Sequence, residues 1–293
     1  MVASTTSSPT NRHKPLNIAL LGYRSNPYSG GQGVYLKHLA KALVDMGHRV
    51  DVISGEPYPE LDARVDLVKL PGLNLYAHPN PAWPLTQQRW RDPLNVFEWA
   101  SYWSGGFPEP FTFGHRLLRH FKTTHPRYDI IHDNQSLCTG LLGLMRRGYA
   151  VTSTIHHPIT LDRDIALQNT QEWGLRLLIR RWHRFLQMQT QVTRQLPYIT
   201  TVSENSKRDI ASAFGICEKR IEVVLNGIDS DIFQPMPTVA REPYHLITTA
   251  SADQPLKGTQ HLIPAVADLA ARHPDLKLTF IGAPKPGGKT EQL

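Results

Sequence analysis

Apolar positions along the chain alternate between short continuous runs and helical spacing. Leu16–Gly22 is a continuous run, the pattern of a strand buried on both faces. Residues 34–47 then place Leu36, Leu39, Ala40 and Leu43 on one helical face, with Gly47 where a helix stop belongs. Arg49–Ser54 predicts a second strand and Val65–Leu70 a third. The rhythm breaks over 71–110, where Pro71, Pro79, Pro81, Pro84, Pro93, Pro108 and Pro110 stand among many aromatics. That stretch reads as an irregular insertion, a long loop or a broken helix. It resumes with a strand at Tyr128–His132, a helix over 136–147, a strand at Val151–Ile155 and one long helix over 171–194. A strand at Tyr198–Val202 follows. Ser203 caps a helix over 204–214, and Ile221–Leu225 is a further strand. Strands alternating with helices predict an α/β fold with a mainly parallel sheet covered on both faces.

Residues 230–243 hold three prolines and no periodicity, the pattern of a linker. Beyond it a strand (Tyr244–Ala250), a helix (258–272) and a strand (Leu276–Gly282) make one βαβ unit. Such a unit lacks the layers of a complete core. The predicted organisation is a polar tail over 1–14, a first domain over 15–229, the linker, and a partial second domain over 244–293.

Composition narrows the class. The chain has 293 residues, 40% of them hydrophobic and 19% charged, which suits a globular protein with a large core. No run of 18 apolar residues occurs, so the sequence predicts no membrane span. The first fourteen residues lack an apolar segment and read as a loose tail, not a secretory signal. The two cysteines, Cys138 and Cys217, fit no metal or redox spacing, and a reduced cytoplasmic setting is expected. The net charge of +7 is compatible with nucleic acid, anionic lipid or phosphorylated small molecules. No nucleic-acid-binding motif accompanies it, so nucleic acid is not expected as a partner. Residues 173–194 carry Arg176, Arg180, Arg181, Arg184 and Arg194 with no acidic residue, interleaved with Trp173, Leu177, Leu178, Trp182 and Phe185. This pattern fits a scaffold helix against the sheet, or peripheral contact with an anionic membrane.

Candidate chemistry gathers after strands, where open α/β sheets bind ligands. The first strand runs into Gly30-Gly31-Gln32-Gly33 and a helix, a turn whose backbone can approach a ligand. Its spacing is not the dinucleotide fingerprint, and a plain flexible loop remains an alternative. His156 and His157 follow a strand and can hydrogen-bond a sugar hydroxyl or stabilise developing charge; a structurally bonded loop histidine is the alternative. His132, predicted at a strand end, reads the same way. No histidine spacing fits a metal site. Asn226-Gly227-Ile228-Asp229 reads as a turn. Lys257-Gly258, between strand and helix, can reach a phosphate. The segment from Ala283 to Thr290 imitates a phosphate loop, but Pro284 and Pro286 remove two backbone donors from the cradle.

As an ordered set these segments resemble glycosyltransferase family 4. The resemblance lies in Gly30-Gly31-Gln32-Gly33-Val34-Tyr35, Gly47-His48-x-Val50-x-Val52, Thr201-Val202-Ser203-Glu204, the run from Asn226 to Pro235, and Asp253-x-Pro255-x-Lys257-Gly258, and it covers residues 16–282. It implies a GT-B architecture of two Rossmann-like domains, with a doubly wound parallel sheet in the N-terminal one. It further implies transfer of a hexose from a nucleotide-sugar to a hydroxyl acceptor, retaining and metal-independent. No cofactor is implied beyond the nucleotide-sugar as co-substrate. The acceptor is a sugar, lipid or small molecule. His156 stands near the transferred sugar as the catalytic candidate. Gly31, Gly33, Ser251, Lys257 and Gly258 fall on the sugar-donor side, and Gln32, Tyr35, His132 and His157 on the acceptor side. Ser251 departs from the arginine common at that position. The chain also ends before the family's paired-glutamate motif, so a C-terminally truncated and inactive polypeptide is expected. The rival expectations are a nucleotide-sugar epimerase of the same build and a non-catalytic acceptor- or membrane-binding remnant.

Overall fold

The computed structural model describes residues 14–28, 30–77, 89–249, 258–282 and 288–292. The expected polar tail, apart from Lys14, therefore falls outside the described residues, as do Ser251, Lys257 and most of the 283–290 segment. Contacts divide the chain into two units. One runs up to Thr160 and resumes over Trp173–Leu225; the other takes Leu161–Glu172 and the chain from Asn226 onward.

The first unit is built on seven parallel strands: β1 (Asn17–Gly22), β2 (Arg49–Ser54), β3 (Asp66–Lys69), β4 (Ile130–Asn134), β5 (Val151–Thr154), β6 (Ile199–Thr201) and β7 (Ile221–Val223). Their order is β3-β2-β1-β4-β5-β6-β7, a doubly wound sheet. Ile18 pairs with Val50 on one side and Ile130 on the other, so β1 is central. The winding reverses between β1 and β4, which opens a crevice at their carboxyl ends. Successive β1 residues feed opposite faces. Ile18 and Leu20 pack with Leu36 and Ala40 of helix α1 (Gly31–Asp45), whereas Ala19 and Leu21 join a larger core. That core includes Phe113, Leu117 and Phe121 of α3 (Glu109–Thr124) and Leu141 and Leu144 of α4 (Thr139–Arg146). A continuous apolar run is what burial on two faces requires.

Helices α3 and α4 approach through glycine. A Cβ on Gly140 would stand 2.6 Å from the Gly114 carbonyl oxygen, and one on Gly114 would stand 2.9 Å from Cys138 Cβ. Cys138 lies in this core, and burial pushes its thiol up to about 12; Cys217 is exposed.

The 71–110 stretch is not a long loop throughout; of the two readings the broken helix fits, because α2 (Pro93–Trp103) lies within it, with Pro93 in its first turn and the Asp92 side chain accepting from the Leu94 amide. Glu109 and Pro110 already belong to α3, whose helical run the sequence pattern did not reveal. The single helix over 171–194 is two, α6 (Trp173–Trp182) and α7 (Phe185–Gln195), separated at His183 and Arg184. A short helix precedes them, α5 (Ile159–Gln168). Ser203 does cap α8 (Glu204–Phe214), accepting from the Ser206 amide at 3.0 Å.

No helix or strand lies between Val223 and His245. In the second unit β8 (His245–Thr249) and β9 (Lys277–Ile281) pair in parallel around α9 (Thr259–Ala270), and α10 (Lys289–Gln292) follows. Gly258 precedes α9 in the left-handed region, φ +68°.

Candidate active site at the switch point of the sheet

Three strand ends and one helix start meet at the β1–β4 crevice. β1 passes through the Tyr23–Gly30 turn into α1, whose preceding residue, Gly30, has φ +77° and supplies no side-chain cap. Gly31 is exposed, and among the described residues nothing beyond its own chain neighbours and helix backbone lies within 4 Å of where its Cβ would stand. Gly33 is different. A Cβ there would fall on the Asn26 carbonyl oxygen and 2.7 Å from the Ser25 carbonyl carbon. Packing alone accounts for glycine at 33 and not at 31. The turn is anchored below by buried Ser25, which accepts from Ser54 Oγ at 3.0 Å and donates its amide to the Pro57 carbonyl.

From β4 comes Asn134, buried at the strand's last position. Its Nδ2 donates to the Gln32 carbonyl at 3.0 Å, and its Oδ1 lies 2.8 Å from His156 Nε2. The next residues bend sharply: Gln135 and Leu137 both adopt positive φ, +54° and +47°. Buried Asp133 holds this bend, accepting from the Leu137 amide at 3.0 Å, from Ser153 Oγ at 2.9 Å and from Ser136 Oγ. Burial pushes the Asp133 carboxyl up to about 6 despite these donors. Gln135 grips the β5 loop at two points. Its Oε1 accepts from the His156 amide at 2.8 Å, and its Nε2 donates to the His157 carbonyl at 2.7 Å.

The ring of His156 packs edge-to-face on Tyr35 of α1, centroids 4.7 Å apart. Burial, with His157 adding to it, pulls the imidazole down to about 4, so it is neutral near pH 7. His132 does not sit at a strand end as expected; β4 runs two residues further, and His132 pairs with Leu20 and Thr152 inside the sheet. Its Nε2 lies 2.7 Å from Thr154 Oγ1, which contacts Thr200 Oγ1 at 2.7 Å and Tyr35 OH at 3.4 Å. Burial, with His156 adding to it, also pulls His132 down to about 4. The structure thus gathers Gln32, Tyr35, His132 and His156 around Asn134 and Thr154. His157 contributes its backbone carbonyl at the rim and has an exposed side chain.

A second polar cluster lies past β1. Arg24 donates to both oxygens of Glu109, at 2.8 and 3.0 Å, and stacks over Tyr76 at 5.5 Å. Burial raises Glu109 to about 7 against the pull of Arg24. The cavity beside it is ≈ 10 Å³, room for about one water and not for a sugar ring. Sequence reasoning missed Asp133, Asn134, Gln135, Arg24 and Glu109. The available signal was the polar run His132-Asp133-Asn134-Gln135-Ser136 directly after an apolar strand core. Among the described residues no group of three His, Cys, Asp or Glu side chains is placed to hold a metal ion. No helix among them is long and apolar enough to cross a membrane.

Residues 29–232 match the family described as Glycosyltransferase Family 4. The chain is 42% identical over 279 residues to the MMP alpha-(1->4)-mannosyltransferase of Mycolicibacterium hassiacum, covering 95% of this chain and 67% of that protein. It is 25% identical to a D-inositol 3-phosphate glycosyltransferase of Kribbella flavida, covering 96% of this chain and 66% of the relative. It spans about two thirds of the length of these curated relatives. The fold is shared with WaaG, a glycosyltransferase involved in lipopolysaccharide biosynthesis, at a TM-score of 0.56 and 15% identity, over 92% of this chain and 64% of that one. The doubly wound sheet, the site at its switch point and these matches lead to one assignment: the chain belongs to glycosyltransferase family 4.

Proposed function

We propose that the protein transfers a hexosyl group from a nucleotide-sugar to a hydroxyl acceptor, with retention at the anomeric carbon and without a metal ion. The observation that carries this reading is the convergence of the Gly31 turn, Gln32, Tyr35, Asn134 and His156 at one crevice. Mannose is the first sugar to test, because the 42% identical relative is described as a mannosyltransferase. Neutral His156 is suited to holding a sugar hydroxyl. Gly31 offers an exposed backbone at an uncapped helix start, where a phosphate oxygen is favoured. Gly33 serves by shaping that turn. On the second unit, Ser251, Lys257 and Gly258 are assigned to the diphosphate, with Lys257 stabilising the charge that develops on the leaving group.

The test is release of nucleoside diphosphate from GDP-mannose and UDP-glucose in the presence of sugar, inositol and lipid acceptors, made on this chain joined to the remaining third of the 42% identical relative, because the 293 residues by themselves are expected to be inactive. Acceptor-dependent release by the joined protein is expected, and His156→Ala should lower its kcat/KM by roughly 10–100-fold, the worth of one lost buried hydrogen bond. Isomerised sugar without any acceptor would instead identify an epimerase. No release across the panel would overturn the proposal.

A peripheral contact with anionic lipid is a second element of the reading. No residue of α6 is buried; Trp173 is 82% exposed and Leu177 58%, on a helix that also carries Arg176, Arg180 and Arg181. Arg181 is partly engaged, donating to Ser104 Oγ at 2.8 Å. Sedimentation with phosphatidylglycerol vesicles should fall steeply with salt and with Arg176→Ser/Arg180→Ser. Equal recovery with neutral vesicles would remove this element and leave the transferase reading intact.

A further inference from the structure

Asn134 sits between a backbone carbonyl and an imidazole, and the chemistry of these partners settles its orientation. The Gln32 carbonyl oxygen can only accept, so the Asn134 amide must turn its NH₂ toward it, at 3.0 Å. The opposite side of the amide is then Oδ1, which can only accept, and it faces His156 Nε2 at 2.8 Å. Nε2 must therefore carry the proton. We infer that Asn134 is a positioning residue that locks His156 as the Nε2–H tautomer, so that the ring meets a ligand only as an acceptor at Nδ1. Among the described residues Nδ1 makes no hydrogen bond. A group that contacts it must bring its own proton: a hydroxyl fits, whereas a phosphate or carboxylate oxygen does not.

The remaining contacts act in the same direction. Gln135 clamps the His156 amide and the His157 carbonyl, which fixes the backbone that carries the ring. Tyr35 closes one side of the imidazole edge-to-face. His157 disfavours a second proton on His156, and His156 in turn disfavours one on His132. Asn134 itself is held by the strand on one side and the left-handed Gln135 on the other, so its amide has no second arrangement that satisfies both partners. One amide therefore links the start of α1 to the ring that the transferase reading puts against the sugar.

The tautomer stands independently of that reading; the hydroxyl partner rests on it. The experiment is long-range ¹⁵N NMR of the labelled chain across pH 5–8. The wild-type spectrum should show His156 with protonated Nε2 and unprotonated Nδ1 throughout, without the averaging of a free imidazole. An Nδ1–H form or an averaged pair overturns the inference before any variant is made. In Asn134→Leu, with folding checked by circular dichroism, the two nitrogens should average. In Asn134→Asp the acceptor remains but a negative charge is added, so the Nε2–H form should persist while the ring protonates at a pH at least one unit higher. An unchanged tautomer in folded Asn134→Leu would refute the positioning role. Addition of GDP-mannose or UDP-glucose should move the Nδ1 resonance, and the nucleoside diphosphates alone should not. A correct tautomer with no such shift would leave the role of Asn134 standing and count against His156 as a sugar contact.

Discussion

Gly33→Ala should cost about 3 kcal/mol or more of folding stability, while Gly31→Ala should stay within about 0.5 kcal/mol of the parent. The two glycines stand two residues apart in one turn, and their surroundings differ completely. At Gly33 the added methyl would meet the carbonyl groups of Ser25 and Asn26, and backbone cannot move aside as a side chain can. Relief would require displacing the turn that buried Ser25 anchors to Ser54 and Pro57. At Gly31 the methyl would meet nothing. Urea titration of both variants reads the difference. The functional ordering should be the reverse of a stability ordering: Gly31→Ala keeps the fold and, on the proposed reading, loses about tenfold or more in kcat/KM because the methyl stands where the donor's phosphate approaches. Equal stabilities for the two variants would show that the turn is softer than its geometry implies.

Arg116→Met should destabilise the protein by about 3–5 kcal/mol, because it leaves the Glu98 carboxylate buried without its cation. Glu98 is 2% exposed. It accepts from Arg116 Nη2 at 2.8 Å and Nη1 at 3.2 Å, from Thr112 Oγ1 at 2.9 Å and from the Leu73 amide at 3.2 Å. This one carboxylate thus ties α2 to α3 and to the Gly72–Asn74 segment. Combining Arg116→Met with Glu98→Gln removes the unpaired charge and keeps an acceptor for Leu73, so the double variant should recover most of the loss. A double-mutant cycle measured by chemical denaturation gives the coupling. A single-variant loss below about 1 kcal/mol would mean that water reaches Glu98 when Arg116 is gone.

The same cluster explains where the sequence stopped being legible. The central strand of the first unit could be read because burial on two faces demands an apolar run, as at Ile18–Leu21. Helix α3 could not, because its buried face carries Glu109, Thr112, Gly114 and Arg116 among the apolar residues. Those residues are satisfied by partners elsewhere in the chain, and periodicity does not register such partners. The break between α6 and α7 was hidden for a related reason: the basic and apolar pattern continues through His183, whose Nδ1 lies 2.8 Å from the Ile179 carbonyl. At the site, His156 could be singled out as a residue just past a strand. Asn134 could not, since its meaning comes from Gln32, 102 positions earlier, and from a ring 22 positions later.

The crossing of α3 and α4 also constrains how this lineage can diverge. A Cβ on Gly140 would enter the space of the Gly114 main chain, whereas one on Gly114 would meet chiefly the Cys138 side chain. Trimming a neighbouring side chain cannot make room at Gly140. Natural variation there should therefore move both helices apart together or leave the position alone, and single-step drift at Gly140 should be purged by selection long before it reaches the chemistry of the crevice.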